Sequence, residues 1–200
     1  MNKKLRPFCY NIFTSTKQVN IIQRIYIISG PAGVGKSTTS KMLAESFEHS
    51  AYIEGDVINH MVVGGYLPPW ESEASLELVW KNIADLSINF IEAGKNVVID
   101  YVAFPEEVEL FSQRVSSQMP DLEIMYVVLW ADRDELLKRD AERIKDHQMG
   151  GRCLELVQEF EEKGLKQRYL YDTTHTELSN LDQIMKEIKS NSAFVYLSLL

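Results

Sequence analysis

The clearest chemical signal in the sequence is the glycine-rich stretch at residues 30–37, which reads Gly-Pro-Ala-Gly-Val-Gly-Lys-Ser. It fits G-x-x-x-x-G-K-[ST], the pattern of a phosphate-binding P-loop. The glycines let such a loop curl so that its N–H groups face phosphate oxygens, and the N-terminus of a following helix adds positive charge. Lys36 is expected to reach the β- and γ-phosphates, and Ser37 to bind Mg²⁺. The alternative is a glycine-rich turn with an incidental lysine. The predicted nucleotide contacts are Gly30, Pro31, Ala32, Gly33, Val34, Gly35, Lys36, Ser37 and Thr38.

Two aspartates follow apolar runs that are typical of buried strands. Asp100 ends the run NVVID and is predicted to hold Mg²⁺, directly or through a water. Asp56 follows Glu54-Gly55 at the end of another run, and its carboxylate could accept a proton from an attacking hydroxyl or orient that hydroxyl. The alternatives are a loop aspartate at position 100 and a helix N-cap at position 56.

A basic stretch lies in the second half of the chain. Arg139 and Arg143 are four residues apart, so they share a helix face, and Arg152 follows Gly150-Gly151. A mobile segment can deliver such cations to a transferring phosphoryl group, which predicts a lid at about residues 144–153. The alternative is a solvated helix face, because acidic residues are interleaved with the basic ones.

Three further positions give weaker signals. Asp172 and Thr173 follow the last apolar run and are predicted to contact the nucleotide base; the alternative is a simple turn. Trp70, behind two prolines, could line an acceptor pocket or merely pack a loop. His60 could lie near Asp56, although a lone histidine is more often structural.

The elements that must position these residues alternate between short apolar runs and segments with helical periodicity. This alternation predicts an α/β fold with a parallel sheet. Strands are predicted at 21–29, 51–54, 96–100, 123–130 and 168–172, and helices at 36–47, 73–93, 105–118, 132–143, 153–163 and 181–189.

Composition limits the remaining possibilities. With 200 residues, 45% of them hydrophobic, the chain fits one globular domain, expected over residues 21–200 after a poorly ordered extension at 1–20. The net charge of -8 disfavours a nucleic-acid partner. The two distant cysteines, Cys9 and Cys153, agree with a reducing cytoplasm, and no apolar run is long enough to span a membrane.

Together these motifs resemble the small P-loop kinases that phosphorylate metabolites or antibiotics, notably the chloramphenicol phosphotransferase-like and gluconate kinase-like groups. The resemblance spans roughly residues 24–190, and its motifs are GPAGVGKST at 30–38, GD at 55–56, VVID at 97–100, the arginine-rich stretch 139–152 and DTTH at 172–175.

That resemblance implies a three-layer fold with a five-stranded parallel sheet and a small lid, and transfer of the γ-phosphoryl group of ATP, with Mg²⁺, to a hydroxyl compound. It implies Asp56 as the catalytic aspartate, Arg139 and Arg143 in a lid over the phosphates, and Asp172 with Thr173 near the adenine. Residues 55–75, where the acceptor is expected, carry no signature for gluconate, shikimate or chloramphenicol.

The leading hypothesis is therefore a small-molecule kinase, either a monomer or a homodimer, with Lys36, Asp56, Arg139 and Arg143 as catalytic residues. A nucleotide-dependent switch with little transfer activity is a second hypothesis, because binding and catalysis share the P-loop. A polynucleotide end kinase is a third, disfavoured by the acidic balance and by the lack of a basic, aromatic-rich patch.

Overall fold

A computed structural model describes residues 23–145, 148–176 and 180–198. The predicted extension at 1–20 lies outside the described residues, as do Cys9 and two positions of the predicted lid, 146 and 147. The strands are β1 Arg24–Ser29, β2 Ser50–Glu54, β3 Asn96–Asp100, β4 Glu123–Trp130 and β5 Leu170–Asp172. The helices are α1 Lys36–Glu45, α2 Gly55–Asn59, α3 Glu73–Glu92, α4 Pro105–Ser116, α5 Arg133–Ala141, α6 Arg152–Glu162 and α7 Leu181–Ser190.

The five strands form one parallel sheet in the order β2-β3-β1-β4-β5, which confirms the predicted sheet. Each crossover carries the chain back over a face of the sheet, so the central strands are covered on both sides and every residue of β3 is buried. The register pairs Asp100 with Ile28 on one side and with Glu54 on the other. The carboxyl ends of β1, β2 and β3 therefore meet at one edge.

Two apolar layers cover the sheet, as the strict alternation of side chains along a strand requires. From β1, Ile25 and Ile27 face a cluster with α3 and α4, whereas Tyr26 and Ile28 face a cluster with α1 and α7. The helix predicted at 73–93 supplies Val79, Trp80 and Ile83, which lie on one of its faces, to the first cluster. Helices on both faces confirm the three-layer arrangement.

Several predicted boundaries shift by one to three residues. The most informative change is in the last strand, where a 3₁₀ turn at Gln167–Tyr169 leaves only Leu170–Asp172 to pair with β4. Asp132 caps α5 by accepting a hydrogen bond of 2.8 Å from the Glu135 N–H. Within the described part of the chain, no helix combines the length and apolar character needed to cross a membrane.

Candidate functional site

The P-loop connects β1 to α1 at the centre of the sheet. Its glycines Gly30, Gly33 and Gly35 have φ values of 135°, 83° and 99°, which are left-handed and disfavour any residue with a Cβ. At Gly30 a side chain would also overlap the carbonyl oxygen of Leu129 on the neighbouring strand β4. The loop therefore keeps its curl only with the glycine pattern found in the sequence.

Among the described residues, the N–H groups of residues 33–37 donate no hydrogen bond to protein acceptors. They sit ahead of and within the first turn of α1, where N–H groups lack intrahelical partners and the helix dipole is positive. A row of free N–H groups at this place has the donors that a chain of phosphate oxygens needs.

Lys36 folds back over the same loop, and its Nζ donates to the Pro31 carbonyl oxygen at 2.9 Å. Burial lowers the pKa of Lys36 to about 8, although the carboxylates of Asp100 and Asp56 act to raise it. The charge of Arg143 lowers it further. These influences place both predicted aspartates and one predicted arginine within electrostatic reach of the P-loop lysine.

Asp100 is buried at the end of β3 and is held by Tyr52, whose hydroxyl donates to its Oδ2 at 2.8 Å. Within the described residues its second oxygen makes no hydrogen bond, and Ser37 is exposed in the first turn of α1. One carboxylate oxygen and one hydroxyl beside a phosphate cradle are ligands that suit Mg²⁺, which takes few protein ligands and completes its shell with water and phosphate. The residues present therefore fit a Mg²⁺ ion bound together with a nucleotide.

Asp56 lies exposed in the first turn of α2, just beyond the end of β2. Glu54, not Asp56, occupies the N-cap position of this helix, so the cap alternative for Asp56 is wrong. The backbone at Gly55 lies against the ring of Tyr101, so close that a side chain at position 55 would overlap that ring. The glycine of the Gly55-Asp56 pair thus sets the position of the aspartate by close packing on Tyr101, the residue that follows β3.

Tyr101 also borders this space through its hydroxyl. Burial raises the pKa of Tyr101, and the charges of Asp56 and Tyr66 raise it further. Its hydroxyl makes no hydrogen bond to a described residue, so a donor that is free for a ligand lies near Asp56.

Arg143 and Asp140 lie on the other side of the P-loop. A side chain at Gly33 would stand 3.7 Å from the Asp140 Cβ, which shows how closely α5 approaches the loop. Asp140 is buried and accepts hydrogen bonds from the N–H groups of Met149 and Gly150 and from Arg143 Nη1 at 3.2 Å. One carboxylate therefore holds both the segment before α6 and Arg143, whose charge acts on Lys36.

Arg139 and Arg152 are engaged elsewhere. The Arg139 guanidinium donates to the Thr173 hydroxyl at 3.1 Å and to the Thr173 carbonyl oxygen at 2.6 Å, while its Nε donates to Glu135. Arg152 pairs with Glu155 and Glu159 along α6. In this arrangement neither arginine is directed at the P-loop.

The segment predicted to contact the base is a turn after β5. Thr173 is buried and donates from its hydroxyl and its N–H to the Trp130 carbonyl oxygen, while Asp172 accepts from the hydroxyl and N–H of Thr174. These bonds and the Arg139 fork fix the turn beside α5. A role in base recognition stays a prediction for Asp172 and Thr173.

The acceptor region holds the weaker candidates. Trp70 is 73% exposed and packs no core, and the ring of His60 lies 5.7 Å from that of Tyr66. The Tyr66 hydroxyl accepts from Asn59 at 3.1 Å. These residues line an open surface on α2 and the loop that follows, next to Asp56 on the same helix.

The structure thus brings Asp56, Asp100 and Arg143 within electrostatic reach of Lys36, whereas Arg139 is bonded to Thr173 and Arg152 to acids of α6. A role of Arg139 in catalysis or nucleotide binding stays a prediction. Sequence reasoning missed three residues that hold the site together, Tyr52, Tyr101 and Asp140. Only Asp140 had a sequence signal, its three-residue spacing from Arg143 on a helix; the tyrosines join the site through strand pairing, which spacing along the chain does not reveal.

Comparison with known families agrees with this geometry. The family model described as AAA domain matches residues 27–163, from β1 to the residue after α6. The chain belongs to the AAA domain family. Among curated proteins, none matches the sequence significantly.

Solved structures share the fold of this AAA domain at low sequence identity. A sugar kinase from Janibacter has a TM-score of 0.61 at 13% identity, covering 88% of this chain and 99% of its own. The tunicamycin resistance protein of Deinococcus radiodurans has a TM-score of 0.58 at 19% identity, with coverages of 89% and 99%. A gluconokinase from Sinorhizobium meliloti has a TM-score of 0.57 at 16% identity, with coverages of 84% and 90%. The resemblance of this AAA domain to P-loop small-molecule kinases is confirmed at the level of the fold.

Proposed function

We propose that this protein is a Mg²⁺-dependent phosphotransferase that moves the γ-phosphoryl group of ATP to a hydroxyl of a small molecule. One observation carries the proposal: Asp100 and Asp56, at the carboxyl ends of β3 and β2, lie within electrostatic reach of Lys36 in the P-loop that follows β1. In open parallel sheets, ligands bind at this edge. The kinases of similar fold support the same reading.

The P-loop binds and orients ATP in this scheme. The free N–H groups of residues 33–37 receive the phosphate oxygens, and Lys36 leaves the Pro31 carbonyl oxygen to contact the β- and γ-phosphates. Ser37 and Asp100 are the ligands that would hold Mg²⁺, which neutralises charge on the phosphate oxygens when bound. Arg143, whose charge acts on Lys36, supplies a further positive charge for the transferring group.

Asp56 directs the acceptor. Its carboxylate orients the acceptor hydroxyl and takes its proton as the acceptor oxygen bonds to the γ-phosphorus. The bond between the γ-phosphorus and the bridging oxygen breaks, ADP leaves with that oxygen, and the proton passes from Asp56 to solvent. The exposed position of Asp56, beyond the end of β2, leaves room for an acceptor beside the phosphates.

Transfer from γ-labelled ATP to a cell extract and to a panel of sugars, sugar acids, nucleosides and hydroxylated antibiotics tests this proposal. We expect a labelled small product that is absent with Lys36→Ala. Asp56→Asn should lower the turnover about 10²- to 10⁴-fold, the usual contribution of a general base, while ATP affinity stays close to that of the wild type. Unchanged transfer by Asp56→Asn would exclude the assigned role of this aspartate.

The same assay separates the kinase from a nucleotide-dependent switch. Tight ATP binding without a labelled product in any extract, together with a partner affinity that differs between ATP and ADP, would favour the switch and overturn the proposed transfer.

A further inference from the structure

The surface next to Asp56 is apolar and open. We define the acceptor segment as residues 55–72, which comprise α2 and the loop leading to α3. Its exposed apolar side chains are Val57, Met61, Val63, Leu67 and Trp70, exposed by 51%, 66%, 91%, 52% and 73%. So many large apolar groups on one short segment are unusual for a surface that stays in water.

Positive charge is missing from this segment and its flanks. From Met42 to Trp80 the sequence contains no lysine or arginine, whereas Glu54, Asp56 and Glu71 are acidic. Lys81, the first cation beyond, pairs with Glu77 at 2.9 Å. An acceptor with a carboxylate or phosphate would thus lie on an acidic surface without a counter-charge from this segment.

The other cations described near this edge lie outside the acceptor segment, and Lys41 of α1 lies over the Tyr52 ring at 5.6 Å from its centroid. Lys36 and Arg143 lie at the P-loop, while Arg139 and Arg152 are bound to Thr173 and to the acids of α6. A bound triphosphate, with its several negative charges, would take up the free cations. Little positive charge then remains for a second anion beside it.

A pocket of about 250 Å³ opens between α2, the loop and the start of α3. Its walls are mainly apolar or small, with Val62, Leu67, Ala74 and Leu78 among them, and Asn59 is a polar member. Its lining joins these apolar side chains to the polar Asn59, Ser72 and Ser75 and includes no charged group, which suits an uncharged body better than an ion.

We propose that the acceptor is an uncharged hydroxyl compound with an apolar body, whose hydroxyl meets Asp56 while the body covers the apolar side chains of the acceptor segment. This inference deepens the proposed function and rests on it. Burial of the exposed apolar groups provides the binding free energy, and the acidic surroundings select against anionic acceptors. Sugar acids, nucleoside monophosphates and nucleic-acid ends are therefore excluded as acceptors.

Matched pairs of probes test the charge and the body separately. Phenethyl alcohol and its para-carboxylate share a hydroxyethyl arm and differ in charge. Hexyl glucoside and hexyl glucuronide share an alkyl chain and also differ in charge. Glucose and gluconate form a third pair, which lacks the apolar body. Ligand-detected NMR and calorimetry with protein loaded with ADP and Mg²⁺ give affinities without any transfer, and γ-labelled ATP then measures transfer to each probe.

In the phenethyl and hexyl pairs we expect the uncharged member to bind at least roughly tenfold more tightly than its anionic partner, because the carboxylate would lie on an acidic surface without a counter-charge. Trp70→Ala should weaken that binding several-fold and leave ATP affinity unchanged. Leu110→Ala is the matched control, because Leu110 is a 63% exposed apolar residue on α4, outside the acceptor segment. Met61→Lys should reduce the difference in affinity between the uncharged and the anionic member of each pair, because it adds a positive charge to the acceptor segment. Leu110→Lys should leave that difference unchanged.

The inference is overturned if the anionic member of a pair binds more tightly than the uncharged one, or if glucose binds more tightly than hexyl glucoside. It is also overturned if no probe binds. These results are distinct from a failure of the proposed function. Selective binding of uncharged apolar probes without transfer to any of them would sustain the acceptor surface and count against phosphoryl transfer. Efficient transfer to gluconate would support phosphoryl transfer and contradict the uncharged, apolar acceptor.

A protein partner is the alternative occupant of this surface. If Trp70→Ala alters the oligomeric state or the capture of a protein while probe binding stays as in the wild type, the surface is an interface and the inference is wrong.

Discussion

At the scale of single residues, the site depends on side chains whose surroundings change their chemistry. Lys36 is the clearest case, because its ammonium group is partly buried beside the P-loop and its pKa is lowered to about 8. Asp100 and Asp56 keep that pKa from falling further. The lysine is thus mostly charged at neutral pH and loses that charge at a lower pH than an ordinary lysine does.

This lowered pKa predicts a pH-dependent affinity for ATP. Only the protonated lysine attracts phosphates, so the dissociation constant should be nearly constant below pH 8 and should rise by up to about tenfold per pH unit above it, until the pKa of the complex is reached. Calorimetric titration with ATP and Mg²⁺ between pH 7 and pH 9.5 measures this slope, whose range is set by the pKa of about 8. With Lys36→Arg, which stays charged throughout, the slope should vanish; an equal slope in that variant would show that another group is responsible.

A second prediction concerns the contact between Gly55 and Tyr101. Gly55→Ala should lower the free energy of unfolding by roughly 1–3 kcal/mol, because its new methyl group overlaps the Tyr101 ring. Tyr101→Ala removes the overlap, so in that background Gly55→Ala should lose most of its cost. Urea unfolding of the two single variants and the double variant measures the coupling.

Gly64→Ala serves as the control, since a methyl group there meets nothing within 4 Å. If Gly55→Ala costs no more than Gly64→Ala, the close packing of Gly55 on Tyr101 is not what positions Asp56.

At the scale of elements, α5 links the P-loop to two loops. Its residue Asp140 holds the segment before α6, and its residue Arg139 holds the turn after β5. Burial alone would raise the pKa of Asp140, but the N–H groups of Met149 and Gly150 and the charge of Arg143 lower it on balance. A movement of α5 would therefore carry the whole arginine-bearing region with it.

Asp140→Asn tests this linkage. The amide cannot accept all the hydrogen bonds that the carboxylate accepts, so the free energy of unfolding should fall by about 1–3 kcal/mol. Hydrogen exchange should also speed up at the N–H groups of Met149 and Gly150, which the carboxylate now protects. Asp134→Asn, the same change at an exposed position of α5, should leave both measurements nearly unchanged. Equal effects of the two variants would argue against the linkage.

At the scale of the whole molecule, the sheet order brings distant parts of the chain to one edge. β1 is central, with β3 and β4 beside it, so the P-loop lies between Asp100 and α5. The C-terminal residues complete the far side of the sheet, where Tyr196 donates its N–H to the Ile124 carbonyl oxygen of β4. Ligands that bind at the carboxyl edge thus contact segments from both halves of the chain.

Because the site exists only in the folded protein, ATP with Mg²⁺ should stabilise the whole domain. At about 100 times the dissociation constant, the gain is about 2.7 kcal/mol. Thermal unfolding should show a raised Tm with ATP and Mg²⁺, a smaller shift when EDTA removes the metal, and none with Lys36→Ala. A shift that EDTA leaves intact would remove Mg²⁺ from the roles assigned to Ser37 and Asp100.

The sequence by itself determined the parts that depend on local pattern. The P-loop follows from glycine positions that allow a left-handed curl, the parallel sheet from apolar runs that alternate with helical periods, and the placement of Asp100 and Asp56 from their position just after such runs. Each of these features is encoded within about ten neighbouring residues, so reading along the chain was sufficient.

Only the tertiary structure decided which side chains meet. The pairing of β2 with β3 brings Tyr52 to Asp100 and Tyr101 to Gly55, and the packing of α5 on the P-loop gives Arg143 to Lys36 while Arg139 is drawn to Thr173. The predicted helix would have placed both arginines on one face, but α5 ends at Ala141, so Arg143 lies beyond the helix and has different neighbours from Arg139. Contacts between distant segments arise from strand order and packing, which spacing along the chain does not contain.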